Sequence, residues 1–172
     1  MQIHIEGRAR IVGDDVNTDY IISSSRKRET LDPLILKRYL LEALDPDFAD
    51  SIERGDLLIA GKNFGCGSAM EIAVSVLLSA GIKAVLARSF ARTFYRNAIN
   101  NGLVPVECDT SRIHEGDRLI VRLAEGAILA KNALTSEEFV GSPLPAIMLD
   151  ILAAGGLVSY FKAHHDFRDL QV

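Results

Sequence analysis

The chain has 172 residues, is 48% hydrophobic and 24% charged, and carries a formal charge of −4 from 19 Lys+Arg against 23 Asp+Glu. That balance describes one globular domain, expected to span 1–172, and excludes a disordered chain, a collagen and a disulfide-stapled mini-protein. The acidic excess argues against a sequence-independent grip on nucleic acid, and the two cysteines, Cys66 and Cys108, are too few for a disulfide framework or an iron–sulfur cluster of their own. No segment reaches the roughly 18 apolar residues of a membrane helix, so no membrane partner is expected. The first residues lack the basic-then-apolar pattern of a signal peptide. The expected compartment is the cytoplasm, with both thiols reduced.

Ile3, Ile5 and Gly7 alternate with His4 and Glu6, and Arg8–Val12 continues the run as a strand. Gly13–Asp19 breaks it with acids and amides that favour turns and caps. After the short apolar Tyr20-Ile21-Ile22, Ser23–Arg28 reads as a polar, basic loop. Asp32-Pro33 is a helix start, with Asp as N-cap, and Leu34, Leu36, Tyr39, Leu40, Leu41 and Leu44 carry its apolar face up to Asp45-Pro46. Leu57–Ala60 is a continuous apolar run of the buried-strand type. Glycines follow from Gly61 to Gly67, then a helix over about 68–80 ending at Gly81. Ile82–Ala87 is the next strand, Arg92–Asn101 a helix ended by Gly102, and Leu103–Val106 a third strand. This β/α alternation predicts parallel neighbours. Residues 113–132 instead predict antiparallel strands, and Pro143 and Pro145 open a last helix over Ala146–Ala154, with a short helix at Leu157–Lys162. His164-His165 reads as tail.

Four segments could carry chemistry. Gly61–Glu71 runs from a buried strand through glycines into a helix N-terminus. Its backbone N–H groups and dipole favour an anion, and Ser68 stands where it could act on one. The structural alternative is that Ser68 caps the helix, forming a capping box with Glu71. The glycine spacing fits neither a dinucleotide fingerprint nor a P-loop. Asp14–Asp19 resembles a calcium loop only superficially, because the EF-hand glycine and distal Glu are absent; turn capping is the better reading. Ser23–Arg28 suits carboxylate recognition, or is a solvated surface loop. In Arg88–Asn101, Phe94 and Ala98 share one helical face and Arg92 and Arg96 another, which offers either surface arginines or a seat for an acidic group.

Together, Asp14-Asp15-Val16-Asn17-Thr18-Asp19, Gly61-Lys62-Asn63-Phe64-Gly65-Cys66-Gly67-Ser68 and Ser89-Phe90-Ala91-Arg92 with Phe94–Asn100 resemble the small subunits of 3-isopropylmalate dehydratase and homoaconitase, from about Gly7 to Tyr160. The resemblance implies the swivelling β/β/α domain of the aconitase superfamily, an α/β fold with a mixed sheet around a parallel β/α core. It implies a hydro-lyase of leucine biosynthesis that moves a hydroxyl by dehydration and rehydration of a di- or tricarboxylate. It also implies a large subunit carrying a [4Fe–4S] cluster whose open iron is the Lewis acid, with no cofactor on this chain. By motif position Ser68 is the base, activated by nearby N–H groups and cations. Substrate binding falls by the same resemblance on Ser24, Arg26, Arg28, Asn63, Gly67 and Ala69.

The chain departs from the family pattern at the site. Where the family reads Ser-Arg-Glu after the serine, this chain reads Ala69-Met70-Glu71. The arginine would bind a substrate carboxylate, a contact worth on the order of 1.5–3 kcal/mol. Either a cation among Arg26, Lys27 and Arg28 takes its place, or the substrate is another substituted malate such as homoaconitate or 2,3-dimethylmalate, or the domain is a non-catalytic binding or regulatory one. The 23–28 segment is also unlike the aromatic-containing family version and about one residue longer.

Overall fold

The computed structural model describes residues 2–164, so His165 lies outside the described residues. The seven strands are β1 (Ile3–Gly13), β2 (Leu57–Ala60), β3 (Ala84–Ala87), β4 (Val104–Glu107), β5 (Arg118–Ala124), β6 (Ala127–Asn132) and β7 (Glu138–Gly141). They form one sheet in the order β4-β3-β2-β1-β5-β6-β7. The long β1 is the hinge of the architecture. Its first half, Ile3 to Arg8, pairs antiparallel with β5, and its second half, Ala9 to Gly13, pairs parallel with β2. The parallel half is β1-β2-β3-β4, and the antiparallel half is β1-β5-β6-β7. This is the mixed sheet expected from the sequence.

The two halves carry different residue patterns because they bury different faces. All four residues of β2 and of β3 are buried. Leu57 and Ile59 face one apolar cluster with Leu86, Val106, Leu119 and Val121, whereas Leu58 and Ala60 face another with Val74, Leu77 and Phe94. Strands covered on both sides must read as unbroken apolar runs. By contrast β5 and β7 alternate buried and accessible residues, as strands open on one side do.

The helices are α1 (Thr18–Ile21), α2 (Ser24–Glu29), α3 (Pro33–Leu36), α4 (Phe48–Ser51), α5 (Glu71–Ser79), α6 (Arg92–Asn101), α7 (Ala146–Ala153) and α8 (Leu157–His164), with a 3-10 turn at Lys37–Tyr39. The helix α6 has the expected bounds and ends on Gly102 in the left-handed conformation. Asp32 caps α3 as expected, accepting from the Leu34 N–H at 2.9 Å. His164 ends α8, its Nδ1 2.9 Å from the Tyr160 carbonyl. Among the described residues, no single helix is long and apolar enough to cross a membrane.

Several local expectations are corrected. Ser23–Arg28 is not a loop: Ser23 caps the short helix α2, which buries no residue and so shows no apolar period. Its basic last turn opposes the negative end of the helix dipole. Tyr20-Ile21 belongs to α1. The single helix expected from Asp32 to Leu44 breaks after Tyr39, because Leu41 takes a left-handed backbone and gives its N–H to Ile21 O at 3.0 Å, a tertiary bond in place of a helical one. The helix expected from residue 68 starts at Glu71, with Met70 at the cap position and no side-chain cap, so the Ser68–Glu71 capping box does not form. The strands expected at Ile82 and Leu103 begin at Ala84 and Val104.

Candidate functional site

The connection from β2 to α5 is laced on both sides by distant backbone. The N–H of Gly61 bonds Gly13 O at 2.8 Å and that of Gly65 bonds Val16 O at 2.8 Å. On the other side Phe64 N–H bonds Ser89 O at 3.0 Å, and Ala91 N–H bonds Phe64 O at 2.9 Å. The three sequence motifs therefore meet in one place. Beneath them Phe64 is fully buried, with Phe94 edge-on at 5.0 Å and Phe90 at 6.1 Å between ring centres.

The glycines serve close packing within the chain. Gly65 has φ +78, and a Cβ there would stand 2.2 Å from the Phe94 ring. Gly67 has φ +91, and its Cβ would stand 2.4 Å from Asn17 Oδ1. Only a residue without a side chain tolerates both the dihedral and the approach.

The acidic run before α1 holds this connection in place. Asp14 Oδ1 accepts the Lys62 N–H at 2.7 Å, and Asp15 Oδ1 accepts from Asn63 Nδ2 at 2.9 Å. Asn17 caps α1 by accepting the Asp19 N–H at 2.9 Å. Only Asn17 acts as the local cap expected of this run; the two aspartates reach across the fold. Thr18, 1% exposed, donates its N–H to the Cys66 carbonyl and its hydroxyl to the Ser68 carbonyl, both at 2.9 Å. In the sequence nothing but its place in the run marks Thr18. Among the described residues no group of three or more His, Cys, Asp or Glu could hold a metal. Cys108 is buried, and that burial pushes its thiol up to about 12.

Ser68 itself is exposed, as are Asn63, Gly67 and Ala69. The Ser68 backbone is fixed through Thr18, while its hydroxyl has no hydrogen-bond partner among the described residues and is free to meet a substrate. The helix α2 comes to the start of α5 through Lys27, whose Nζ lies 2.9 Å from Met70 Sδ and 3.0 Å from Asp19 Oδ1. Ser24 donates to the same Asp19 oxygen at 2.7 Å, and the Ser24 and Lys27 hydrogen bonds hold the Asp19 carboxyl below its usual range. Arg26 turns away. It grips Glu42 at 2.9 and 3.1 Å and lies 3.9 Å over the Tyr39 ring, and the Glu42 bonds raise its pKa further. Arg28 is exposed, with no ion pair among the described residues.

Two shallow clefts flank these elements. One of about 280 Å³ opens beyond the ends of β1 and β2, beside Asp14, Gly61, Arg88 and Thr110. The other, of about 260 Å³, is lined by Phe90, Arg92, Tyr95, Arg96, Glu107 and Met148. Neither includes Ser68, which stands exposed on the rim of the connection between β2 and α5.

A family model described as the aconitase C-terminal domain matches residues 40–111. The chain is 47% identical over 160 residues to the 3-isopropylmalate dehydratase small subunit 1 of Methanopyrus kandleri, covering 92% of each. It is 44% identical over 159 residues to the methanogen homoaconitase small subunit of Methanocaldococcus jannaschii, covering 92% of this chain and 91% of that one. The crystal structure of a 3-isopropylmalate dehydratase subunit from Methanocaldococcus jannaschii superposes with a TM-score of 0.85 at 42% identity, covering 95% of this chain and 96% of that one.

Proposed function

The chain belongs to the family of 3-isopropylmalate dehydratase small subunits, hydro-lyases of the aconitase superfamily, and from that premise we propose that it works as the small subunit of an isomerase acting on a substituted malate. The leading substrate is 3-isopropylmalate. Relatives of near-equal identity are named for isopropylmalate and for homoaconitate, so homoaconitate and 2,3-dimethylmalate are the substrates to screen beside it. The observation that carries this reading is the convergence of the three motifs on Ser68, whose backbone is tied to Thr18 and whose hydroxyl is left free on an exposed rim.

In this reading Ser68 Oγ takes the proton from the carbon next to the one that bears the leaving hydroxyl, so that a double bond forms between them, and returns a proton when water is added back with the hydroxyl on the other carbon. A serine oxygen is a poor base in water. Here it stands three residues ahead of α5, whose first-turn N–H groups are not capped by a side chain and whose dipole favours negative charge on that side. A rim needs a second wall, and the relatives' description as small subunits supports a large subunit as that wall. The described residues do not fit an iron–sulfur cluster: Cys108 is buried and no group of three or more His, Cys, Asp or Glu surrounds Cys66. The proposal keeps the [4Fe–4S] cluster on the large subunit, as the family resemblance implies.

Reconstitution with the large subunit encoded in the same genome, followed by a substituted-malate screen, tests the proposal. Ser68→Ala should assemble normally and lose turnover. Retained turnover would remove Ser68 from the chemistry, and an inactive wild-type complex would favour a non-catalytic domain.

A further inference from the structure

We infer that the cleft between α6, β4 and α7 is a binding site for a free α-amino acid with an apolar side chain. None of its lining residues belongs to the 61–71 connection that carries Ser68, and the inference stands independently of the reaction proposed above.

The cleft brings two arginines, one carboxylate and an apolar wall together. Arg92 and Arg96 stand one turn apart on α6, Glu107 ends β4, and Phe90, Tyr95 and Met148 supply the wall. The backbone behind each charge and ring is tied down. Tyr95 N–H bonds Ala91 O at 3.0 Å, the Glu107 carbonyl accepts the Ser142 N–H at 2.8 Å, and Met148 N–H bonds Pro145 O at 3.0 Å. The Phe90 ring lies 5.7 Å from the Tyr95 ring and stacks on Phe94 at 6.4 Å between centres, so the wall is held from behind. The volume, about 260 Å³, falls under the roughly 300–1,000 Å³ of drug-sized pockets and suits a molecule of amino-acid size.

The charges of this cleft are unspent. Among the described residues the side chains of Arg92, Arg96 and Glu107 take part in no hydrogen bond or ion pair, although all three line the same cleft. Opposite charges that share a cleft without closing on each other leave room for a molecule that bears both. An α-amino acid carries a carboxylate and an ammonium on one carbon. The arginines take the carboxylate, which a guanidinium grips with two N–H groups, and Glu107 takes the ammonium. The side chain then lies against the two rings and Met148, whose flexible thioether adapts to different shapes. The Tyr95 hydroxyl adds a neutral donor. It has no hydrogen-bond partner among the described residues, and burial, with the Glu107 carboxylate nearby, pushes its pKa up, so it keeps its proton. A dicarboxylate would set its second charge against Glu107, so the site discriminates against the malate class.

Isothermal titration calorimetry of the full chain tests the site, with L-leucine and L-phenylalanine as probes. Isocaproate lacks the ammonium of leucine, isoamylamine its carboxylate and glycine its apolar side chain. At least one of the two amino acids should bind saturably, and each analogue about 10- to 100-fold more weakly. Glu107→Gln should abolish the preference for leucine over isocaproate, and Arg92→Gln combined with Arg96→Gln the preference over isoamylamine. A merely structural effect weakens every ligand alike, so preferences that survive in these variants overturn the assignment. Binding of neither amino acid overturns the inference, as does equal binding of leucine and isocaproate by the wild type. The same titration on the complex with the large subunit should retain binding; its loss there would give the cleft to the subunit interface and overturn the ligand role.

Discussion

Replacing Thr18 by Val separates how strongly the serine is held from how well it works. Val keeps the shape of Thr18 at a position 1% exposed and deletes the hydroxyl that donates to Ser68 O at 2.9 Å. A neutral hydrogen bond contributes about 0.5–1.5 kcal/mol net. The Ser68 carbonyl sits in an exposed residue and recovers water, so the loss should fall near 1 kcal/mol. In a chain of this size that lowers Tm by about 2–4 °C. Turnover should fall much further, because a shift of about 1 Å in a reacting group costs on the order of 100-fold in rate. Thermal unfolding of the subunit gives the first quantity and kcat of the reconstituted complex the second, with Thr18→Ser as the hydroxyl-retaining control. Wild-type kcat beside the expected fall in Tm would refute the positioning argument. An unchanged Tm would show that the bond carries no weight at all.

Phe64→Ala empties the ring cluster beneath the glycine connection and should cost about 3–5 kcal/mol in a urea titration, with Ser68 chemistry lost alongside. Gly67→Ala places a methyl against Asn17 at φ +91, so it should disturb the α1 cap and reduce turnover more than Ala at the open Gly126, read by kcat of the two variants. Native thiol labelling near pH 8 should modify Cys66 and spare Cys108, whose pKa is pushed up to about 12, with both reacting only after unfolding. Burial pushes the Asp56 carboxyl up, but hydrogen bonds from Arg8 and the Glu53 amide outweigh it and hold the group below its ordinary value. A depressed carboxylate stabilises the fold above its unfolded pKa of about 4 and loses that contribution as pH falls through the folded value. The Tm gap between wild type and Asp56→Asn should therefore be constant near neutrality and shrink in acid.

How much was legible follows the range of each interaction. The helix Arg92–Asn101 was readable to its ends, because an apolar face and a stop glycine are local signals. The runs at 57–60 and 84–87 announced strands covered on both faces for the same reason. The helix α2 was not legible, since it buries nothing, and β7 turns only Phe139 and the side-chain-less Gly141 inward on the edge of the sheet. The break at Leu41 depends on a hydrogen bond to Ile21, 20 residues earlier, which no local period can encode.

The sequence by itself determined the family, the order of the three motifs and the candidacy of Ser68, because residue type and spacing are all those require. The tertiary structure alone decided which partner each charge takes. Arg26, Lys27 and Arg28 are three adjacent cations in the chain, yet one is spent on Glu42, one is lodged between Asp19 and Met70, and one stands in solvent. A helix rotates successive side chains by about 100°, so the fold of α2 against α1 and α5 sends each cation to a different neighbour.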